Sequence, residues 1–245
     1  LAFFLAAQFW PGPLTLILPK ASDVNPLITS GLDTVAVRMP AHPLARRLIQ
    51  NLRVPLAAPS ANRFGRTSPT TAEHVRREFH NDVFVLDGGP CHVGLESTVI
   101  EVNETHTHDF INILRPGAIT EEMLRECVRD WVKPLEIVRR QSEASPGSLK
   151  HHYMPAIPLV IVNQSLDASA LAKIQKVLGG KDLMPVEMIL DPHPAVAARE
   201  LYSQMRILSE KNGHFIVVER KTQQTGDEWT AIWDRLERAA TYKLQ

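Results

Sequence analysis

The stretch Pro55-Leu-Ala-Ala-Pro-Ser-Ala-Asn-Arg-Phe-Gly-Arg-Thr-Ser-Pro69 constrains the chain most, because a short apolar run turns within one residue into a polar loop. Pro55 to Ala58 reads as a buried strand, and Pro59 ends it, having no N–H to give a ladder. Ser60 and Asn62 stand two apart, so on an extended backbone their side chains would share a face. Arg63 and Arg66 bring positive charge, and Gly65 permits a turn that other residues resist. Ser68-Pro-Thr70 then leads into a helix, with Thr70 and Glu73 spaced as a capping box. A strand end, a polar loop and a helix N-terminus in succession make a natural anion cradle. An ordinary surface loop would have the same composition.

The rest of the chain supplies sheet and helix around this stretch. Leu14 to Leu18 and Asp33 to Arg38 read as strands, and His42 to Leu52 as an amphipathic helix. Thr71 to Phe79 is a charged helix, and Val83 to Leu86 a strand ending in the turn Asp87-Gly-Gly-Pro90. Ser97 to Val102 and Phe110 to Leu114 are strands around a polar hairpin loop, and a helix capped by Thr120 runs to about Trp131. Leu1 to Ala7 reads as the end of a helix. Beyond a Pro/Gly/Ser-bearing linker, strands at Leu159 to Val162, Val186 to Leu190 and Phe215 to Val218 alternate with helices near 167–178, 194–212 and 227–242. That alternation predicts a parallel α/β sheet. Gly213 stands where a helix C-cap belongs, and Trp229 and Trp233, four apart, should pack on the sheet. No Gly-x-Gly-x-x-Gly follows the first of these strands, so a dinucleotide site there has no support.

Lys and Arg balance Asp and Glu at 27 each, which removes any global pull toward nucleic acid or a membrane. The longest apolar runs are far too short to span a bilayer. Cys91 and Cys127 form no C-x-x-C pair, which argues against a zinc site or a disulfide scaffold and fits a reducing cytosol. The adjacent His151 and His152 would point apart on an extended backbone, and no third ligand stands near, so no metal site is expected.

Pro59-Ser-Ala-Asn-x-x-Gly-x-x-Ser-Pro-Thr70 resembles the signature of threonylcarbamoyl-AMP synthases, the YrdC-like family. Other blocks match in that family's order: Phe9-Trp-Pro-Gly-Pro-Leu-Thr15, Val35-Ala-Val-Arg-Met-Pro40, Glu96-Ser-Thr-Val-Ile100, Ile113-Leu-Arg-Pro-Gly117, and Ser145-Pro-Gly147 with His152-Tyr153. Six ordered blocks from about residue 9 to 160 are far more specific than any one. Ser148 and Lys150 depart from the Met and Tyr usual in the last block. The resemblance implies a YrdC-like α/β domain with a twisted mixed sheet over 1–140, a linker or lid over 141–158, and a smaller Rossmann-like parallel α/β domain over 159–245. It also implies an upstream segment with a nucleotide-binding Lys-x-Arg motif, which has no counterpart here. The chain is therefore expected to be N-terminally incomplete and to turn over weakly alone.

The activity so implied joins L-threonine, bicarbonate and ATP into threonylcarbamoyl-AMP and pyrophosphate, in the cytoplasm, for tRNA N6-threonylcarbamoyladenosine. ATP enters as substrate with Mg2+, and the product passes to a tRNA threonylcarbamoyl-transfer complex, with weak or no direct RNA binding and no membrane. Such chemistry needs fixed positive charge and donors rather than a nucleophile. By the family pattern Arg38 grips the threonine carboxylate, Ala58 lets substrate approach the backbone, and Ser97 and Thr98 contact threonine. Thr34, Ser60, Asn62, Ser68 and Arg115 face the nucleotide, and His152 and Tyr153 reach it from the lid. Taken singly, each residue also reads as a turn, core or solvated strand-end residue. Two other readings stand beside this one: a YrdC-like RNA-binding module without turnover, and a transferase using carbamoyl phosphate.

Overall fold

A computed structural model describes residues 1–80, 82–140 and 152–244. They fall into two compact units that interleave along the chain. One comprises residues 1–59 and 96–140, the other residues 60–95 and 152–244.

The first unit is a five-stranded mixed sheet. Its strands are β1 (Leu14–Pro19), β2 (Thr34–Val37), β3 (Thr98–Glu104), β4 (Asp109–Arg115) and β5 (Leu135–Arg139), in the order β2-β1-β3-β4-β5. β1 runs antiparallel to β2 and parallel to β3, and β4 is antiparallel to β3 and parallel to β5. Its helices are α1 (Ala2–Phe9), α2 (Pro43–Leu52) and α4 (Glu121–Cys127). Leu14, Leu16, Ile100 and Ile113 of the sheet form one core with Leu5 of α1 and Leu124 of α4. Thr120 caps α4 by accepting the Met123 N–H at 3.1 Å, as its sequence predicts.

Asp109 lies fully buried at the start of β4. Trp131 Nε1 donates to it at 2.8 Å, the Thr105 N–H donates at 3.2 Å, and Lys133 Nζ lies 3.6 Å away. These partners, Trp131 foremost, outweigh desolvation and hold its pKa below the ordinary carboxylate value. A depressed folded pKa contributes stability that is complete above the unfolded value of about 3.9 and is lost as pH falls through the folded one. Trp131→Phe should therefore destabilise the unit by roughly 1–2 kcal/mol at neutral pH. In urea titrations that gap should close in strong acid. An equal gap at every pH would show that the indole matters only for its packing.

The second unit is an all-parallel sheet of β6 (Leu159–Val162), β7 (Pro185–Met188), β8 (Phe215–Glu219) and β9 (Tyr242–Leu244), in the order β7-β8-β6-β9. All four residues of β6 are buried, as expected of a parallel strand covered on both faces. Leu159 and Ile161 pack with α6 (Pro194–Ser209) and α7 (Asp227–Ala239), and Val160 and Val162 with α5 (Ala168–Leu178). Trp229 and Trp233 sit in the first of these cores. α3 (Ala72–Phe79) belongs to this unit as well.

Several expectations need correction. Pro55 to Ala58 is irregular and exposed, not a buried strand. Two prolines within five residues remove ladder donors, and no described strand pairs with the run. Val83 to Leu86 likewise joins no ladder, and Phe84 is 94% exposed. The cap of α3 is Thr71, whose hydroxyl accepts the His74 N–H; Thr70 instead bonds the Ser203 hydroxyl at 2.8 Å. α4 stops at Cys127, short of Trp131. α6 closes at Glu210 rather than Gly213. β5 and β9, neither of them expected, complete the two sheets.

Candidate active site

Polar residues gather on one face of the first sheet. Leu14, Leu16 and Ile100 face the core, so Thr15 and Val99, paired in register between them, face the other way. The Thr15 hydroxyl lies 2.6 Å from that of Ser97, which is two residues before Val99 and buried. Simple alternation would put Arg115 on the core side, because it stands two residues beyond Ile113. The β3–β4 register slips, however: Val99 opposes Arg115 while Ile100 opposes Ile113. Leu114 and Arg115 thus share one partner, and this bulge turns Arg115 toward the Thr15 face. There its Nη2 donates to the Ser97 hydroxyl at 3.2 Å and its Nε to the Ser97 carbonyl at 3.1 Å.

β2 extends the row. Val37 opposes Leu16 and packs on the core, so Arg38, next along, lies on the Thr15 side. Continuing the register by one residue sets Arg38 across from Thr15. Thr34, four residues back, shares that face at the far end of the strand. Among the described residues Arg38 has no acidic partner. The residue is exposed, yet surrounding protein atoms desolvate the guanidinium enough to hold its pKa below the ordinary arginine value. A partly desolvated guanidinium with no carboxylate of its own is suited to an acidic ligand.

Thr98 points to the core side instead. It is fully buried, and its hydroxyl donates to the Ile119 carbonyl at 2.7 Å and accepts the Ile119 N–H at 3.0 Å. That hydroxyl ties the start of β3 to the segment before α4. Gly117 supports the same junction by close approach, since a Cβ there would come 2.4 Å from the Thr98 nitrogen. Ala58 lies exposed in the irregular run before Pro59.

The remaining candidates belong to the second unit. Ala61 has φ 54°, so the backbone between Ser60 and Asn62 is not extended and the shared-face expectation fails there. Ser60 is exposed, whereas Asn62 folds inward. Asn62 Nδ2 donates to the carbonyls of Arg63 (2.9 Å) and Arg66 (3.0 Å), closing the loop, and its Oδ1 is buried with no hydrogen-bond partner among the described residues. Gly65 takes the left-handed conformation expected of it. Ser68 is buried. The loop is clamped by the described end of the expected linker: the Met154 N–H donates to the Gly65 carbonyl at 2.8 Å, and the Thr67 hydroxyl to the Tyr153 carbonyl at 3.1 Å.

Tyr153 does not stand out as a lid residue. It is 1% exposed, stacks on Tyr202 at 5.6 Å, and has the Arg235 guanidinium over its ring. His152 meets its edge at 4.3 Å. The Ser145-Pro-Gly147 block, His151 and most of the expected lid lie outside the described residues. Among the described residues no three His, Cys, Asp or Glu side chains gather to hold a metal ion, and no helix is long and apolar enough to cross a membrane.

Comparison with known proteins decides the family. Residues 119–241 match the model of the threonylcarbamoyl-AMP synthase C-terminal domain, and residues 1–117 match the Sua5/YciO/YrdC model described as telomere recombination. The chain belongs to the threonylcarbamoyl-AMP synthase family. It is 34% identical to the threonylcarbamoyl-AMP synthase of Pyrococcus abyssi, covering 99% of this chain and 74% of that one. The Bacillus subtilis enzyme of the same name is 43% identical over 66% of this chain, which spans only 46% of its length. The crystal structure of P. abyssi Sua5 complexed with L-threonine superposes with a TM-score of 0.79 at 31% identity, covering 100% of this chain and 76% of the other. The mixed sheet and the parallel sheet are thus those of a threonylcarbamoyl-AMP synthase.

Sequence reasoning missed one member of the polar row, Thr15. It was legible as the lone hydroxyl in the apolar run Leu14-Thr-Leu-Ile-Leu18.

Proposed function

We propose that this protein is an L-threonylcarbamoyladenylate synthase, a nucleotidyltransferase that supplies the activated group for N6-threonylcarbamoyladenosine in tRNA. The observation that carries this reading is the row Arg38, Thr15, Ser97 and Arg115 on one sheet face. Arg38 forks onto the threonine carboxylate and fixes the amino acid. The neutral threonine amine forms a C–N bond to the bicarbonate carbon, the amine proton and the bicarbonate hydroxyl leave as water, and the resulting carbamate oxygen attacks the α-phosphorus of ATP. A P–O bond forms, the bond to the β-phosphate oxygen breaks, and pyrophosphate leaves with that electron pair. Arg115, steadied by its two bonds to Ser97, meets the growing phosphate charge without having to reorganise. Thr98 acts indirectly, by fixing the strand that carries Ser97.

Mg2+ would enter on the nucleotide's phosphates rather than on a protein ligand set, and it would neutralise their charge. A cytoplasmic location and transfer of the product to a tRNA-modifying complex follow from the same reading. The test is pyrophosphate release by the full-length protein. Release should require threonine, bicarbonate and ATP together, and threonylcarbamoyl-AMP should appear by mass spectrometry. Release that ignores threonine would overturn the proposal.

A further inference from the structure

The second unit contains an open cavity of about 640 Å³. Its walls come from the loop before α3, from α3 itself, from α6, and from the strip Met154 to Ala156. Four arginines reach it: Arg63, Arg66, Arg77 and Arg206. Acids occupy two of them. Arg77 pairs with Glu73 at 3.0 Å and Glu210 at 2.9 Å, and Arg206 with Glu78 at 2.9 Å. The other Glu78 oxygen is taken by the Arg63 backbone N–H at 2.6 Å.

That leaves donors without acceptors. The Arg63 guanidinium has no ion-pair partner among the described residues, and that of Arg66 makes only a long 3.4 Å contact to the Pro155 carbonyl. Arg206 Nε is buried with no hydrogen-bond partner among the described residues. His74 Nδ1 accepts the Thr70 N–H at 3.2 Å, so the neutral ring carries its proton on Nε2 as a further donor. Burial first, then the charges of Arg206 and Arg77, lower the His74 pKa against the opposing pull of Glu210 and Glu73. The ring is therefore neutral at neutral pH.

We infer that this cavity binds a phosphorylated small molecule, its phosphate held by Arg63 and Arg66 and its organic part laid along Met154, Pro155 and Ile207. Two guanidinium forks three residues apart, neither with an ion-pair partner among the described residues, suit a dianion better than a carboxylate. The volume far exceeds a free phosphate and falls within the range of about 300–1,000 Å³ typical of small-ligand sites. The inference goes beyond the synthase reading: Arg63 and Arg66 share a loop with Ser60, Asn62 and Ser68, but none of the cavity's side chains is placed in that reaction.

The test follows His74 imidazole signals by NMR, assigned by their loss in His74→Gln, with AMP, inorganic phosphate and adenosine as probes. AMP should shift them saturably and raise the His74 pKa, phosphate should do so more weakly, and adenosine should not. Arg63→Ala with Arg66→Ala should weaken the AMP response at least tenfold while core methyl signals stay in place. Arg63→Gln alone should weaken it measurably and guards against misfolding of the double variant. Arg115→Ala, in the other unit, should leave the response intact. Signals that stay fixed in millimolar AMP, or that answer adenosine equally, would overturn the inference. So would a response that survives the double variant or vanishes in Arg115→Ala.

Discussion

Arg38→Ala is expected to raise the threonine KM for pyrophosphate release by about two orders of magnitude. Hydrogen bonds to charged groups contribute about 1.5–3 kcal/mol each, so even at the low end a forked pair lost together gives roughly a hundredfold change. Folding should hardly notice, because Arg38 is exposed and has no acidic partner among the described residues to leave stranded. An unchanged unfolding midpoint beside a large kinetic loss is the signature expected of a ligand-binding arginine. Arg38→Lys keeps the charge but not the fork, and should recover only part of the loss. If threonine dependence were unchanged in Arg38→Ala, the carboxylate would have to be held elsewhere and the polar row would lose its purpose.

The second large effect concerns stability. Gly94 sits at φ 79°, and a Cβ there would lie 2.4 Å from the Arg199 Cα and 2.5 Å from the Arg199 carbonyl oxygen. Both contacts are backbone of α6, whose inner face buries Leu201, Tyr202 and Met205, so the helix cannot retreat without opening its core. Left-handed strain costs about 1–2 kcal/mol and overpacking typically about 1–3 kcal/mol more, so Gly94→Ala should cost about 3 kcal/mol or above. Gly89→Ala makes the control. Its φ is 81°, yet nothing stands within 4 Å, so only the strain should appear. Urea unfolding of the two variants separates conformation from collision. Equal losses would mean that α6 yields easily.

How much of this was legible in the sequence follows from which forces each feature depends on. β6, β8 and the helices around them were readable because apolar period and length alone specify them. The family was readable from six ordered blocks, and with it the expected fold. Pro55 to Ala58 misled because an apolar run signals burial only if a partner strand is there to receive it. Tyr153 misled in another way. Its motif position said lid, but its ring stacks on Tyr202, a residue 49 positions away that no local pattern connects to it. Arg38, Ser97 and Arg115 were each found by type and place. That they line one cleft was expected too; which sheet face forms it was not legible, because that depends on strand register and on a slip in that register.

That slip has a consequence for how the chain tolerates change in length. Losing one residue from the middle of a strand ordinarily inverts everything beyond it. Here the pairing of Ile113 with Ile100 and that of Arg115 with Val99 differ by a single surplus position, Leu114. Removing that one codon would leave an even ladder with the guanidinium still opposite Val99. The strand that carries the positive charge therefore holds a spare link, and a survey of substitutions alone would never reveal it.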